Sequence, residues 1–328
     1  MTETRASALP RQRIILIDVA RGLALLAMAI YHFTWDLEFF GYIERGTAAV
    51  GGWKIFARLI AGSFLFLVGV SLVLGHGNGI RWRSFGIRLA MIVAAAALIT
   101  IATYFAIPDR FIFFGILHNI AVSSVAGLLF VRLPAALGLV AGLAVLFAGP
   151  YLSSPFFNHG PLLWLGLSTI SVLSNDYVPV FPWTGVVLLG IGTAKLADRF
   201  GLFSRLASIY RIEKGSAKPL AFAGRHSLAV YLLHQPVLIG LVFLASLVYP
   251  ATVANSPEGI YRDCYRTCVE NNSAEFCMRY CQCVVDELIL SDLLQALPSA
   301  QSPGELHPDI RSIIDSCSVS ARSTGKTQ

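Results

Sequence analysis

The sequence is dominated by apolar segments that are long enough to cross a lipid bilayer. A helix needs about 20 mostly apolar residues to span the hydrocarbon, and this chain of 328 residues holds seven such segments. They lie near residues 14–34, 53–75, 85–107, 111–131, 133–151, 181–198 and 226–249. Only 13% of the residues are charged, about half the ~25% typical of a soluble domain. The sequence therefore predicts an all-α fold, a polytopic transmembrane helix bundle, and excludes a soluble globular enzyme.

One further apolar stretch, residues 161–173, is shorter than the seven segments. A stretch of this length is typical of a re-entrant or interfacial helix, and an eighth span is the alternative. We favour the interfacial helix, because an eighth span would contradict the distribution of charge along the chain.

The basic residues indicate how the chain is oriented in the membrane. Short cytoplasmic loops are enriched in Lys and Arg, and here these residues occupy alternate connections: Arg5, Arg11, Arg13, Arg81, Arg83, Arg88, Lys195, Arg199, Arg205, Arg211, Lys214, Lys218 and Arg225. The pattern predicts a cytoplasmic N-terminus at residues 1–13, a transmembrane domain at 14–249 and an extracytoplasmic tail at 250–328. In a bacterial inner membrane, the tail would be periplasmic. The net charge of +6 is then a topology signal, and we expect no nucleic acid partner.

The predicted tail contains all six cysteines of the chain, and their spacing is regular. Two pairs lie four residues apart, so each pair occupies one face of a helix, and two antiparallel helices could be joined by two disulfides. The remaining two cysteines would form a third pair by elimination. A zinc site is the alternative, but we favour disulfides because the tail is expected in an oxidising compartment; we predict no metal. The cysteines are Cys264, Cys268, Cys277, Cys281, Cys283 and Cys317.

The first apolar segment carries four ionisable residues: Asp18, Arg21, His32 and Asp36. A charge at the centre of a bilayer costs about 2.5–3.5 kcal/mol on insertion scales, so such residues are usually paired and functional. Asp18 and Arg21 share one helix face, which suits either a structural ion pair or a site for an anionic ligand. His32 and Asp36 are four apart, so the carboxylate could orient the imidazole for general base catalysis.

Two other spans also bring polar side chains into the membrane. The fourth holds His118 and Asn119, and the seventh holds His234 and Gln235 directly before Pro236. Together with His32 they suggest a polar cavity in the bundle. A proton-coupled transporter or channel would use such groups as a relay, and a non-catalytic membrane scaffold is a third reading. Phosphate-binding, nucleophile-elbow, zinc-protease and dinucleotide motifs are missing from the sequence, so a common type of soluble nucleotide or metal enzyme is unsupported.

Five sequence blocks occur in an order that resembles a known family. They are IDVARGLALLAMAIYHFTWDL, WKIFARLIAGSFLFLVGVSL, FGILHNIAVSS, DYVPVFPWTG and GRHSLAVYLLHQPVL. The chain resembles the bacterial branch of the heparan-α-glucosaminide N-acetyltransferase catalytic-domain family, which belongs to a transmembrane acyltransferase superfamily. The resemblance covers residues 10–249 and leaves out the cysteine tail.

This resemblance implies transfer of an acetyl group from acetyl-CoA, the expected co-substrate, to an amine or hydroxyl of an envelope glycan or lipid-linked sugar. No bound cofactor is implied, and the expected partners are membrane lipid, acyl-CoA and a saccharide acceptor. The position that best fits the family's catalytic histidine is His32, with Asp36 to orient it; His32 would deprotonate the acceptor or take the acyl group as a covalent intermediate. His118, Asn119 or Arg21 could stabilise the oxyanion. The residues expected to bind substrate or acyl-CoA are Asp18, Arg21, Arg58, Arg83, Arg225, His234, Gln235 and Asp176.

Overall fold

The computed structural model describes residues 14–44, 46–209, 217–249, 256–294 and 308–323. Predictions that concern residues 1–13, Arg211, Lys214 and the domain boundary at residue 250 lie outside this described part. All regular secondary structure in it is helical. The α-helices are α1 (Ile15–Phe39), α2 (Gly51–His76), α3 (Trp82–Ala106), α4 (Ile116–Arg132), α5 (Ala135–Leu152), α6 (Val180–Arg199), α7 (Leu202–Ile209), α8 (Lys218–Arg225), α9 (Ser227–Val248), α10 (Pro257–Cys268), α11 (Ala274–Leu290) and α12 (Pro308–Ser323).

Seven helices correspond to the seven apolar segments of the sequence. Among the described residues, six of them, α1, α2, α3, α5, α6 and α9, are long and apolar enough to cross a membrane. The seventh, α4, is apolar but has only 17 residues, about 25 Å at 1.5 Å per residue. The chain is an integral membrane protein of the all-α class, as the sequence predicts.

Residues 161–173 do not form an eighth spanning helix. The 3₁₀ helix Gly160–Leu165 begins this stretch, and it ends at Gly166, whose φ of 81° is left-handed. Glycine is required there for a second reason, because a Cβ atom would lie 2.4 Å from the carbonyl oxygen of Phe181. The segment is therefore a short 3₁₀ turn followed by an irregular loop, rather than the α-helix expected at the interface.

The chain divides into two compact units. The first comprises residues 1–29 and 55–234. Within it, α5 packs closely on α6 through glycines, since a Cβ on Gly185 would lie 2.6 Å from the carbonyl oxygen of Gly142. Small residues at such crossings let backbones approach, as is common between membrane helices. Leu65, Val187 and Ile191 have no exposed surface and form the centre of the core in this unit.

The second unit comprises residues 30–54 and 235–328. It contains the C-terminal parts of α1 and α9, the connection between α1 and α2, and the cysteine tail. Two nested disulfides, Cys264–Cys281 and Cys268–Cys277, join α10 to α11 as an antiparallel hairpin. The third, Cys283–Cys317, attaches α12. The predicted disulfide-tied helical tail is confirmed, and all six thiols are consumed, which removes them as zinc ligands.

Candidate functional site

The first unit contains an open cavity of about 1130 Å³ whose lining includes six basic residues. The basic side chains come from α1, from the beginning of α3 and from the end of α8. The basic residues are Arg21, Arg81, Arg83, Arg88, Arg225 and His226. None of the described residues that line the cavity is acidic. A cavity of this kind is suited to an anionic ligand with several charges.

Close helix packing brings these arginines together. Arg21 lies on α1 and Arg225 ends α8, and these two helices meet at glycines. A Cβ on Gly224 would lie 1.8 Å from the carbonyl oxygen of Asp18, and one on Gly22 would lie 2.1 Å from that of Leu220. A larger residue at either glycine would therefore separate α8 from α1 and move Arg225 away from Arg21.

The predicted pairing of Asp18 with Arg21 is present. Asp18 is 3% exposed, and its Oδ1 accepts a hydrogen bond from Arg21 Nη1 at 3.2 Å. Arg21 Nη2 donates to the hydroxyl of Ser71 on α2. Asp18 is not among the cavity-lining residues. The ion pair with Asp18 therefore holds the Arg21 guanidinium at the cavity wall, although Asp18 itself does not line the cavity.

The same cavity also has an apolar wall. It includes Ile116 and Leu117 at the beginning of α4, Ile120 one turn later, and Leu228 and Tyr231 on α9. Thr100, late in α3, contacts His118, early in α4, at 3.2 Å. The two helices therefore run in opposite directions, and this apolar wall lies deeper than the arginines at the beginning of α3.

His118 and Asn119 are held in complete hydrogen-bond networks. His118 Nδ1 accepts from the backbone N–H of Gly115 at 3.2 Å, and its Nε2 contacts the hydroxyl of Thr100. Asn119 has no exposed surface; its Nδ2 donates to the carbonyls of Val178 and Pro179 at 3.1 and 2.9 Å. Its Oδ1 accepts from Ser123 at 2.8 Å. These bonds fasten the loop before α6 to the beginning of α4.

Asp176 lies in that loop and caps α4. Its Oδ2 accepts the backbone N–H of Ile116 at 3.0 Å, which satisfies one of the donors that every helix leaves unpaired at its N-terminus. A Cβ on Gly115 would lie 2.4 Å from this oxygen, so glycine is needed at that position. Burial raises the pKa of Asp176 to about 6. The residue does not line the basic cavity.

The second unit contains a buried polar pair, Asp36 and Gln235. Asp36 has no exposed surface, and its Oδ1 accepts a hydrogen bond from Gln235 Nε2 at 2.6 Å. Asp36 Oδ2 and Gln235 Oε1 are also buried, and neither has a hydrogen-bond partner among the described residues. About 90% or more of buried polar groups are paired. Two buried acceptor oxygens without a hydrogen-bond partner, on side chains that contact each other, therefore indicate a site where a ligand could donate hydrogen bonds. A proton bound to the Asp36 carboxyl is the alternative.

His32 and an ordered connection lie in the same unit as this pair. His32, one helical turn before Asp36 on α1, is partly buried and meets the ring of Tyr31 edge-on at 5.7 Å. Glu38, further along α1, accepts the backbone N–H groups of Gly46 and Ala48. The connection between α1 and α2 is thereby folded back onto the end of α1.

The remaining predicted residues are divided between the cavity and other parts of the structure. Arg58 is exposed on α2 and is not a cavity residue, whereas Arg83 and Arg225 both line the cavity. His234 belongs to the first unit, with its Nδ1 2.6 Å from the carbonyl oxygen of Tyr231. His118 belongs to that unit as well, and His32 belongs to the second.

Sequence reasoning missed Ser71, Tyr231 and Glu38. A serine or tyrosine inside an apolar helix is indistinguishable from a packing residue without its neighbours. Glu38 carried a weak signal, because it precedes a glycine-containing connection whose backbone donors need partners. No group of three or more metal-ligating side chains occurs within the part of the chain that the structure describes.

The fold defines a multi-span α-helical membrane protein, and its first unit contains a cavity lined by basic residues. The family model described as heparan-alpha-glucosaminide N-acetyltransferase, catalytic, matches residues 13–236. The match covers more than half of the 328 residues, and the chain belongs to this family. Comparison with curated proteins and with solved structures gave no match. Membership suggests a membrane acetyltransferase, and acetyltransferases of this type use acetyl-CoA as co-substrate.

Proposed function

We propose that the chain transfers an acetyl group from acetyl-CoA to an amine or hydroxyl of an envelope glycan or lipid-linked sugar. The convergence of five arginines on one cavity, which no acidic residue of the described ranges lines, carries this proposal. Coenzyme A bears several phosphate charges, and guanidinium groups bind phosphate through paired, charge-assisted hydrogen bonds. The cavity volume of about 1130 Å³ slightly exceeds the ~300–1,000 Å³ of ligand pockets, which suits so large a donor.

The proposal includes an orientation. Acetyl-CoA is a cytoplasmic metabolite, so the arginines at the beginning of α3 and the end of α8 would face the cytoplasm. The N-terminus is then cytoplasmic and the tail periplasmic in a bacterial inner membrane. Three disulfides in the tail support this assignment, because disulfides persist in the periplasm and are rare in the cytosol.

The acceptor would be activated by groups of the second unit. Asp36 Oδ2 and Gln235 Oε1 would accept hydrogen bonds from its hydroxyl or amine groups, and His32 would take the proton that the attacking atom loses. The nucleophile then attacks the thioester carbonyl, the carbon–sulfur bond breaks, and the released thiolate takes a proton from solvent. We assign His118 and Asn119 to positioning, because their polar atoms are already engaged with protein groups.

The test uses the purified full chain in detergent with radiolabelled acetyl-CoA and glucosamine or extracted envelope glycans as acceptors. Arg225→Gln should weaken acetyl-CoA binding about ten- to a hundredfold, since it removes one charged hydrogen-bonding group. Asp36→Asn should lower transfer to the acceptor while acetyl-CoA binding stays at the wild-type value. Arg132→Gln is the matched control, because Arg132 is exposed at the end of α4 and does not line the cavity.

Wild-type protein that binds no acetyl-CoA would overturn the proposal. The second candidate, a proton-coupled transporter, is favoured by one observation, the buried Asp36 with a bare oxygen. It predicts that Asp36→Asn abolishes proton-driven uptake into vesicles, and that labelled acetyl-CoA leaves no product with any acceptor.

A further inference from the structure

A small recess of about 140 Å³ adjoins the basic cavity in the first unit. The two spaces share Ser71, Arg81, Ser84 and Arg88 in their linings. The recess adds two polar side chains of its own, His76 at the end of α2 and Ser124 in α4. It therefore presents two guanidinium groups, one imidazole and three hydroxyls, and no described carboxylate lines it.

The turn between α2 and α3 orients these groups. The backbone N–H of Arg81 donates to His76 Nδ1 at 3.2 Å, and Arg81 Nε donates to the carbonyl oxygen of Gly75 at 3.0 Å. Since Nδ1 accepts, a neutral His76 carries its proton on Nε2 and is a donor at that atom. Arg81 keeps its two terminal nitrogens for another acceptor. Two of the polar groups that line the recess, His76 and Arg81, are thus held by backbone contacts of this turn.

The recess is large enough for a tetrahedral anion. The volume of the recess, about 140 Å³, is several times the ~30 Å³ that a water molecule takes in the liquid, so the recess has room for a phosphate group. Three cavity arginines, Arg21, Arg83 and Arg225, lie outside the recess. Arg21 is engaged by Asp18 and Ser71, so Arg83 and Arg225 are the two that would contact the diphosphate of a nucleotide ligand.

We propose that this recess binds one phosphomonoester, and that in the donor this group is the ribose 3′-phosphate of coenzyme A. The 3′-phosphate is the single monoester phosphate of that molecule, and the other two phosphates form the diphosphate bridge. The inference rests on the proposed function. It predicts that the chain selects coenzyme A over 3′-dephospho-coenzyme A. Free phosphate and the headgroup of phosphatidic acid offer the same chemistry, and the experiment separates these sources.

The experiment measures binding of coenzyme A and of 3′-dephospho-coenzyme A to the full chain in phosphatidylcholine nanodiscs by calorimetry. Coenzyme A should bind about ten- to a hundredfold more tightly than 3′-dephospho-coenzyme A, because it makes additional charged hydrogen bonds through its 3′-phosphate. Arg88→Gln should weaken the binding of coenzyme A more than that of the dephospho form, so that the ratio of the two affinities falls towards one. Arg83→Gln, a cavity arginine outside the recess, is the matched control and should weaken both ligands alike. If Arg88→Gln does not fold, Ser124→Ala replaces it and should reduce the same ratio.

Equal binding of the two coenzymes would overturn the recess assignment and leave the acetyl-CoA donor standing. Binding of neither would overturn the proposed function, and the inference with it. Inorganic phosphate that competes with coenzyme A but not with the dephospho form supports the assignment. Phosphatidic acid in the nanodisc that abolishes the selectivity of the wild type would identify a lipid headgroup as the ligand and overturn the assignment to the donor.

Discussion

At the scale of single residues, Asp176 connects a loop to a helix and makes stability depend on pH. Burial raises its pKa from 3.8 to about 6. The folded chain therefore holds the proton more tightly than the unfolded chain. The stabilisation is fully present below pH 3.8 and is lost as the pH rises through 6, about 3 kcal/mol in total at ~1.36 kcal/mol per pKa unit. We expect the apparent melting temperature in detergent to fall over this interval.

Asp176→Asn separates this titration from the helix cap. Its amide oxygen still accepts the N–H of Ile116 but carries no charge, so the melting temperature should vary less between pH 4 and 7 than that of the wild type. Asp176→Ala should lower it at every pH, because the N–H of Ile116 loses its acceptor. A wild-type profile in Asp176→Asn would show that the pH dependence comes from another group.

Some of the residue contacts were predictable and others were not, and sequence separation explains the difference. Asp18 and Arg21 are three residues apart, so helix geometry alone brings them together. Asp36 and Gln235 are 199 residues apart, and no periodicity connects them. Arg58 and Arg83 both lie in the N-terminal part of a helix, yet only Arg83 lines the cavity. The direction of each helix face depends on packing, which a single sequence does not specify.

At the scale of elements, the spacing of the cysteines predicted the tail well. Cysteines four apart on each of two helices lie on one face of each helix, so two antiparallel helices can be joined by two disulfides, as α10 and α11 are. The beginning of α4 was predicted less well. The apolar segment starts at residue 111, but the helix starts at Ile116, because the distant Asp176 caps it there. Hydropathy records where a segment is apolar and contains nothing about a cap from another part of the chain.

The three disulfides should contribute unequally to the stability of the tail. Chain-entropy arguments predict a larger gain for a longer loop. Cys283–Cys317 separates residues by 34 positions and Cys268–Cys277 by 9, a difference of about 1 kcal/mol. Replacing Cys283 and Cys317 together with Ser should therefore increase amide hydrogen exchange throughout α12.

The matched control is the double replacement of Cys268 and Cys277 with Ser. This variant keeps α12 attached, so exchange in α12 should stay close to the wild-type value while the hairpin turn exchanges faster. Equal protection of α12 in both variants would mean that the apolar contacts of Leu288 and Ile310, without the disulfide, hold this helix.

At the scale of the whole molecule, function and orientation depend on each other. The cavity arginines can meet acetyl-CoA only if the connection between α2 and α3 faces the cytoplasm, and with seven spans the loop between α5 and α6 must then face outside. All six native cysteines are in disulfides, so one introduced cysteine is a unique probe. Asn78 and His159 are both exposed and lie in these two connections.

In spheroplasts, a membrane-impermeant maleimide should label His159→Cys directly and Asn78→Cys only after the membrane is permeabilised. The unmodified chain is the control and should remain unlabelled until its disulfides are reduced. The reverse pattern would place the arginines outside, away from cytoplasmic acetyl-CoA, and the tail in a reducing compartment that disfavours its disulfides. That result would reject both the orientation and the proposed donor. The predicted labelling would show that the distribution of basic residues, the disulfides of the tail and the arginine-lined cavity all indicate the same membrane topology.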